Sequence, residues 1–192
     1  MPVIVFLRHG ETDWNVEGRL QGQQEVPLNA RGRSQARRNG ETLKQAVADV
    51  AEFDFVASPL GRARETMEIA RLAMGLDPKA YRIDHRLREV TFGRWEGFTT
   101  EEIRTREPGE LAAREADKWG FSPPGGESYE LLATRVRPWL AELEVPTVVV
   151  AHGGIGRVLW IELAGLDPAE AVVTIIPHDR IFIWSEGRAR LL

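Results

Sequence analysis

The run Val3-Ile4-Val5-Phe6-Leu7-Arg8-His9-Gly10 decides the fold, because an apolar segment rich in β-branched side chains is ended by a polar turn. A second run, Val145-Pro146-Thr147-Val148-Val149-Val150-Ala151-His152-Gly153-Gly154, has the same order of apolar segment, histidine and glycine. Continuous apolar runs of this length are typical of strands that are buried on both faces, as in parallel sheets. We therefore predict that each run is a buried strand followed by a turn that carries a histidine.

Helical and strand patterns alternate between these two runs. Strands are predicted at Val3–Leu7, Phe53–Ala57, Tyr81–Asp84 and Val145–Ala151, and a final hairpin is predicted from Val172–Ile176 and Arg180–Trp184. A first helix is predicted at Arg31–Val50, with Asn29 as its N-cap, and a second helix is predicted to begin with Ser58 as its N-cap and Pro59 in its first position. A third is predicted over the charged segment Thr99–Lys118. Two more are predicted, one from Glu127 or Ser128 to Leu143 and one that begins after His152. Such alternation predicts an α/β fold of three layers (αβα), in which helices cover both faces of a mostly parallel central sheet.

The length of the chain fits one domain, because domains commonly contain about 100–200 residues. We therefore predict a single domain over residues 1–192. The segment at about 97–126 is charged, contains Pro108-Gly109 and ends in Ser122-Pro123-Pro124-Gly125-Gly126, which is a stiff and then flexible turn. This composition predicts an excursion from the sheet that resembles a lid.

Composition excludes several classes of protein. The chain is 43% hydrophobic and 28% charged, as is typical of globular proteins. Its net charge is -4 and it has no basic stripe, so we expect no nucleic-acid partner. No apolar run has the length of a membrane span and the first residues lack the pattern of a secretory leader, so we expect no membrane partner and a cytoplasmic location. The absence of cysteine excludes disulfides and thiolate metal sites.

Three turns should meet at one edge of the sheet. Sheets of this kind bind ligands outside the carboxyl ends of their strands. His9, the turn from Ser58 to Arg62 and His152 all follow predicted strands, so segments that are distant in sequence converge there. Arg62 lies in the first turn of its predicted helix, where the amino end of the helix favours anions. The arrangement suits a phosphate group.

Several blocks of this sequence resemble the histidine phosphatase superfamily, also called the phosphoglycerate mutase-like family, over nearly the whole chain. The blocks are Leu7-Arg8-His9-Gly10-Glu11-Thr12, Gly18-Arg19-Leu20-Gln21-Gly22 followed by Pro27-Leu28-Asn29, Ser58-Pro59-Leu60-Gly61-Arg62-Ala63-Arg64-Glu65-Thr66, Leu87-Arg88-Glu89 with Phe92-Gly93-Arg94-Trp95-Glu96-Gly97, Pro124-Gly125-Gly126-Glu127-Ser128, and Val150-Ala151-His152-Gly153-Gly154. Together they are highly specific. The resemblance implies a phosphoglycerate mutase-like fold and phosphoryl-transfer chemistry.

The resemblance also implies roles for individual residues. His9 would be the nucleophile that takes the phosphoryl group on a ring nitrogen, for which its imidazole must be neutral. Arg8 and Arg62 resemble the family's phosphate-clamping pair, and His152 resembles the second histidine that contacts the phosphoryl oxygens. Glu89 matches the proton donor, and since it must be protonated to serve the leaving oxygen we predict a raised pKa. By the same resemblance, Asn15, Gln21, Gly22 and Gly153 would be further phosphate-binding positions.

The local sequence around these residues also permits other roles. Glu89 could be an ordinary loop carboxylate that pairs with Arg86 or Arg88. His85 and His178 have no partner pattern, and we interpret both as structural. The four histidines lack the i,i+4 spacing of metal ligands, so we expect no metal and no cofactor.

The residues favour a phosphatase that acts on small phosphorylated metabolites. Mutases of the family carry adjacent arginines in a longer insertion, whereas this chain has only single arginines between Glu89 and His152. A cofactor-dependent phosphoglycerate mutase remains the alternative. A non-catalytic protein that binds phosphorylated ligands is less favoured, because the catalytic set is complete. The final hairpin or the excursion could mediate a homodimer.

Overall fold

The computed structural model describes residues 1–192 and contains a six-stranded sheet. The strands are β1 (Ile4–Arg8), β2 (Asp54–Ala57), β3 (Arg82–Ile83), β4 (Thr147–Ala151), β5 (Ile181–Ser185) and β6 (Arg188–Leu191). Their order across the sheet is β3-β2-β4-β1-β5-β6. The first four strands in this order are parallel, whereas β5 is antiparallel to both β1 and β6. The predicted sheet is thus confirmed as mostly parallel, with an antiparallel edge.

Eight α-helices accompany the sheet. They are α1 (Asp13–Glu17), α2 (Ala30–Ala46), α3 (Gly61–Met74), α4 (Thr100–Arg106), α5 (Pro108–Ala116), α6 (Tyr129–Ala141), α7 (Gly153–Ala164) and α8 (Pro168–Ala171), with short 3-10 turns at Val50–Glu52, His85–Leu87 and Gly93–Trp95. Asn29 and Ser128 cap α2 and α6 as predicted, because their side chains accept hydrogen bonds from backbone N–H groups of the first turn. None of these helices combines the length and the apolar character that a membrane crossing requires.

The central strands supply side chains to two separate buried cores. Successive side chains of a strand point to opposite faces. Ile4 and Phe6 of β1 belong to the core formed with α6 and α7, while Val5 and Leu7 belong to the core formed with α2 and α3. All four side chains are fully buried. This alternation explains why the apolar run of β1 is continuous, and it confirms the three layers.

The helix after β2 begins later than the sequence suggests. Leu60 occupies the N-cap position of α3, and the first helical residue is Gly61. The prediction that Ser58 caps this helix and that Pro59 is its first residue was wrong. The hydroxyl of Ser58 lies instead 2.7 Å from Nε2 of His152, in the neighbouring strand-end turn. Arg62 still lies in the first turn of α3.

The C-terminal hairpin lies further along the chain than predicted. Val172–Ile176 form no strand, and the hairpin joins β5 to β6 through residues 186 and 187, which both have positive φ angles. The carbonyl oxygens of Thr174 and Ile176 accept hydrogen bonds from arginine side chains rather than from a neighbouring strand. The backbone of this segment therefore holds the side chains of Arg8 and Arg157 near the carboxyl edge of the sheet. Its apolar β-branched residues predict a strand and give no sign of this role.

The segment at about 97–126 contains α4 and α5 and has its own small core. Trp95, Ile103 and Leu111 are buried together there. The break between the helices lies at Glu107, and Pro108 begins α5 rather than interrupting a helix. The indole Nε1 of Trp95 donates a hydrogen bond of 2.8 Å to Glu107, which ties this break to the loop before α4.

Helices α2 and α3 approach closely at Gly40, where a Cβ atom would lie 2.4 Å from the carbonyl oxygen of Ala70. We expect Gly40→Ala to lower the free energy of unfolding by about 1–3 kcal/mol, because the backbone of α3 would have to move. Gly109 in α5 is the matched control, since a Cβ atom there would have no atom within 4 Å. Gly109→Ala should leave stability unchanged or raise it by up to about 1 kcal/mol. Urea unfolding measures both variants, and equal effects would contradict the close contact.

Candidate active site

A pocket opens at the carboxyl edge of the sheet. The ends of β1 and β2 both flank β4, because Leu7 and Ala57 pair with Val150 on its two sides. His9 and His152 directly follow β1 and β4, and the centroids of their rings are 5.1 Å apart. The pocket beside His9 has a volume of about 150 Å³ and is lined by every predicted site residue except His152. The structure therefore brings His9, Arg62 and His152, which are distant in sequence, together at this edge of the sheet.

His9 presents one unprotonated ring nitrogen at this pocket. The side chain is buried, and its Nδ1 donates a hydrogen bond of 2.8 Å to the carbonyl oxygen of Gly10. Nε2 is left with its lone pair, and Nε of Arg62 donates to it at 3.3 Å. Burial, followed by the charge of Arg62, holds the pKa of His9 well below its usual value of 6.5. The imidazole is therefore neutral near pH 7.

Two arginines flank His9 and are held by backbone carbonyl groups. Arg62 donates from Nη1 to the carbonyl oxygen of Gln24 and from Nη2 to that of Gly22, each at 2.7 Å. Arg8 donates from Nη1 to the carbonyl oxygen of Ile176 at 2.6 Å, and its buried Nε has no partner. Burial lowers the pKa of Arg8 to about 10, so the side chain remains charged near neutral pH. Neither arginine forms an ion pair within the chain, so both are available to an anion.

His152 lies next to His9 but outside the lining of the pocket. It is fully buried, its Nε2 lies 2.7 Å from the Ser58 hydroxyl, and its Nδ1 has no partner. Burial and then the charge of Arg62 hold the pKa of His152 well below its usual value. His152 is thus a second neutral imidazole in the site.

Glu89 reaches the pocket from the loop before the 3-10 turn at Gly93–Trp95. Its carboxylate accepts hydrogen bonds from the N–H of Val90 at 2.9 Å and from that of Gly154, the second residue of α7, at 3.0 Å. A Cβ atom on Gly154 would lie 2.3 Å from Glu89 Oε1, so only glycine leaves space for this carboxylate. Glu89 forms no ion pair with the neighbouring arginines, because Arg86 binds Asp84 and Glu142. The carboxylate is free to act in the pocket.

Arg135 of α6 holds the loop that carries Glu89. Its Nη1 donates to the carbonyl oxygens of Arg86 and Arg88, and its Nη2 donates to that of Glu89 at 3.0 Å. An ion pair with Glu127 fixes the guanidinium from the other side. The sequence did not predict this contact for Arg135, which there is one of several single arginines. Its acceptors are backbone carbonyl oxygens, and a pattern of side chains gives no information about them.

Helix α1 and the loop between α1 and α2 bring the predicted side-chain donors to the pocket. Asn15 belongs to a capping box with Thr12, and its Oδ1 accepts the Thr12 N–H. Gln21 is buried, and its side-chain oxygen has no partner. Glu96 was missed from the sequence, yet its carboxylate accepts hydrogen bonds from the N–H groups of Gln23 and Phe92. Glu96 thereby joins this loop to the one that carries Glu89.

His178 belongs to the site, although its sequence context gave no functional signal. Its Nδ1 donates a hydrogen bond of 2.6 Å to the carbonyl oxygen of His9, and the two ring centroids are 5.5 Å apart. Burial and then the charge of Arg8 lower the pKa of His178 to about 4. His178 precedes β5, so it approaches His9 only because β5 pairs with β1, which sequence patterns do not display.

The site can hold a small tetrahedral anion beside a nucleophilic nitrogen and a carboxyl group. No group of three or more His, Cys, Asp or Glu side chains in the structure is arranged to hold a metal ion.

The lowered pKa values of His9, His152 and His178 make stability depend on pH. The unfolded chain binds protons near pH 6.5, whereas the folded chain binds them only at lower pH, so the free energy of unfolding should fall as the pH drops below about 6.5. We expect His178→Gln to reduce this slope by up to about 1.4 kcal/mol per pH unit between pH 5 and 6. Denaturant unfolding across this range measures it. The exposed His85 supplies the control, and an equal change of slope in His85→Gln would contradict the assignment.

The comparisons with known proteins agree with this geometry. The profile of the histidine phosphatase superfamily (branch 1) matches residues 4–181. Glucosyl-3-phosphoglycerate phosphatase of Mycobacterium tuberculosis is 39% identical over 166 residues, which are 79% of this chain and 70% of that protein. The probable phosphoglycerate mutase GpmB of Salmonella paratyphi C is 36% identical over 193 residues, covering 98% of this chain and 80% of that protein. A solved mycobacterial glucosyl-3-phosphoglycerate phosphatase in complex with VO3 has a TM-score of 0.82 at 34% identity, covering 100% of this chain and 97% of that one. This chain therefore belongs to branch 1 of the histidine phosphatase superfamily.

Proposed function

We propose that this protein is a phosphatase that hydrolyses small phosphate monoesters through a phosphohistidine intermediate on His9. The observation that carries the proposal is the unprotonated Nε2 of a buried His9, which shares one pocket with Arg8, Arg62 and Glu89. The names of phosphatase relatives, which include glucosyl-3-phosphoglycerate phosphatase, support this activity.

In the first step Nε2 of His9 attacks the phosphorus atom, and the bond from phosphorus to the leaving oxygen breaks. Charge then spreads over three equatorial oxygens, and the guanidinium groups of Arg8 and Arg62 stabilise it. Protonated Glu89 gives its proton to the leaving oxygen, which departs as a neutral alcohol. The hydrogen bond from Nδ1 to the Gly10 carbonyl oxygen stabilises the positive charge that His9 acquires.

In the second step water attacks the phosphorus atom of phosphohistidine. The carboxylate of Glu89 takes a proton from this water, and the bond from phosphorus to nitrogen breaks. Inorganic phosphate leaves, His9 regains its lone pair, and Glu89 is again protonated. The sum of the two steps is the hydrolysis of one monoester by one water molecule.

We expect His9→Ala to lower kcat for phosphate monoesters by at least about 1,000-fold, because the variant lacks the nucleophile. Phosphate release is measured over a panel of monoesters with a chelator present, and radiolabelled substrate quenched in alkali should label the unsubstituted protein on histidine. His85→Ala is the matched control and should retain full activity, since His85 is exposed and does not line the pocket. Metal-dependent turnover that survives in His9→Ala would overturn the proposal.

Arg135 should act as a positioning residue for Glu89. We expect Arg135→Met to lower kcat about 10- to 100-fold with little change in KM, because the carboxyl group would lose its alignment with the leaving oxygen. The loss should be large for alkyl phosphates and small for p-nitrophenyl phosphate, whose leaving group needs no proton. Glu89→Gln should show the same dependence on the leaving group.

The control for this experiment is Arg137→Met on the same helix, since Arg137 is exposed and pairs with Glu162. Arg137→Met should leave kcat unchanged for both classes of substrate. A loss in Arg135→Met that is equal for alkyl and p-nitrophenyl phosphates would indicate general misfolding and contradict the positioning role.

A phosphoglycerate mutase is the second candidate, because a relative with that name is 36% identical to this chain. The first step would be the same, but a substrate hydroxyl rather than water would then take the phosphoryl group from His9. Conversion of 3-phosphoglycerate to its 2-isomer with added bisphosphoglycerate, without release of phosphate, would favour the mutase over the phosphatase.

A further inference from the structure

The tautomer of His9 depends on one neighbouring peptide unit. Nδ1 of His9 lies 2.8 Å from the carbonyl oxygen of Gly10. A carbonyl oxygen carries no proton, so Nδ1 is the donor and Nε2 keeps the lone pair. The hydrogen bond made by one ring nitrogen sets which tautomer a neutral histidine adopts. The direction of the Gly10 carbonyl group therefore decides whether His9 presents an unprotonated nitrogen to the pocket.

Gln35 of α2 holds the opposite side of that peptide unit. Its Oε1 accepts the N–H of Glu11 at 2.9 Å, and the side chain is buried. The N–H of Glu11 and the carbonyl group of Gly10 belong to the same planar peptide bond, in which they point in opposite directions. A side chain that fixes this N–H thus also fixes the direction of the carbonyl group. Two hydrogen bonds therefore connect Gln35 through the peptide unit to His9.

Other contacts hold the neighbouring atoms rather than this N–H group. Thr66 of α3 accepts the N–H of Gly10 at 3.0 Å, which fixes the peptide unit before Gly10 and not the one after it. A Cβ atom on Gly10 would overlap the carbonyl oxygen of Gly32, so the backbone at Gly10 packs directly on the first turn of α2. This close contact brings the start of α2, and with it Gln35, beside the turn that follows β1.

We propose that Gln35 is a positioning residue, which keeps His9 in the tautomer with a proton on Nδ1 and a lone pair on Nε2. This inference rests on the proposed function and extends it to a side chain that does not line the pocket. An acceptor at the Glu11 N–H also polarises the peptide unit and makes the Gly10 oxygen a stronger acceptor. The stronger bond stabilises the positive charge that His9 gains when Nε2 takes the phosphoryl group.

The first test replaces Gln35 with methionine, which has a similar length but no acceptor oxygen. We expect Gln35→Met to lower kcat/KM about 10- to 100-fold, because fewer molecules present an unprotonated Nε2 to the substrate. The inhibition constant of inorganic phosphate should change by less than about threefold, since the guanidinium groups of Arg8 and Arg62 are held by other contacts.

The ring nitrogens of His9 supply a readout that a loss of stability would not change. Nuclear magnetic resonance of protein with isotopically labelled histidine distinguishes a protonated ring nitrogen from an unprotonated one, and His9→Ala identifies the signals. We expect a single tautomer protonated on Nδ1 in the unsubstituted protein and a mixture of tautomers in Gln35→Met. Gln35→Glu keeps an acceptor oxygen and should restore both the tautomer and kcat/KM to within about threefold. Gln45→Met, on the exposed side of the same helix, is the matched control and should change neither.

The tautomer separates this inference from the proposed function, because its measurement needs no turnover. A mixture of tautomers in Gln35→Met, together with an unsubstituted protein that releases no phosphate, would overturn the phosphatase while supporting the positioning role. An unchanged tautomer in Gln35→Met would overturn the positioning role, whatever the activity of the variant. A loss of activity that Gln35→Glu does not recover would contradict it as well.

Discussion

A neutral imidazole buried among guanidinium groups is the constraint on which much of the structure depends. Arg62 stays beside His9 only because the carbonyl groups of Gly22 and Gln24 close over it, and Arg8 is held in the same way by Ile176. These contacts connect the two arginines beside His9 to the loop before α2 and to the segment before β5. Burial, and then the charge of Arg62, lowers the pKa of His9, so a cation beside the pocket also helps to keep this imidazole neutral.

Features that depend on local pattern were predictable from the sequence. The apolar runs of β1 and β4, the caps Asn29 and Ser128, and the position of His9 and His152 after their strands all follow from residue order. The Ser58 cap failed because a hydroxyl can serve a distant histidine instead of its own helix. Such a choice is decided by tertiary contacts, which local propensity does not contain.

The residues that the sequence did not reveal share one property. Arg135 and His178 each donate to backbone carbonyl oxygens far away in the chain, and Glu96 accepts from two separate loops. These three side chains do not line the pocket; they bind the backbone of segments that do. The excursion at about 97–126 has a small core of its own, formed by Trp95, Ile103 and Leu111. The sequence of this segment can therefore vary without any change in the strands that precede His9 and His152.

The ends of the sheet bear on how this chain behaves among other chains. An open strand edge is a template for aggregation, and natural proteins protect it with short strands and charged side chains. One edge here is β3, which has two residues, and the other is β6, which carries Arg188 and Arg190. Neither edge offers a long apolar strand on which a foreign chain could nucleate. The buried parallel strands, whose apolar sequences are the most prone to form amyloid-like stacks, are thus confined to the middle of the sheet.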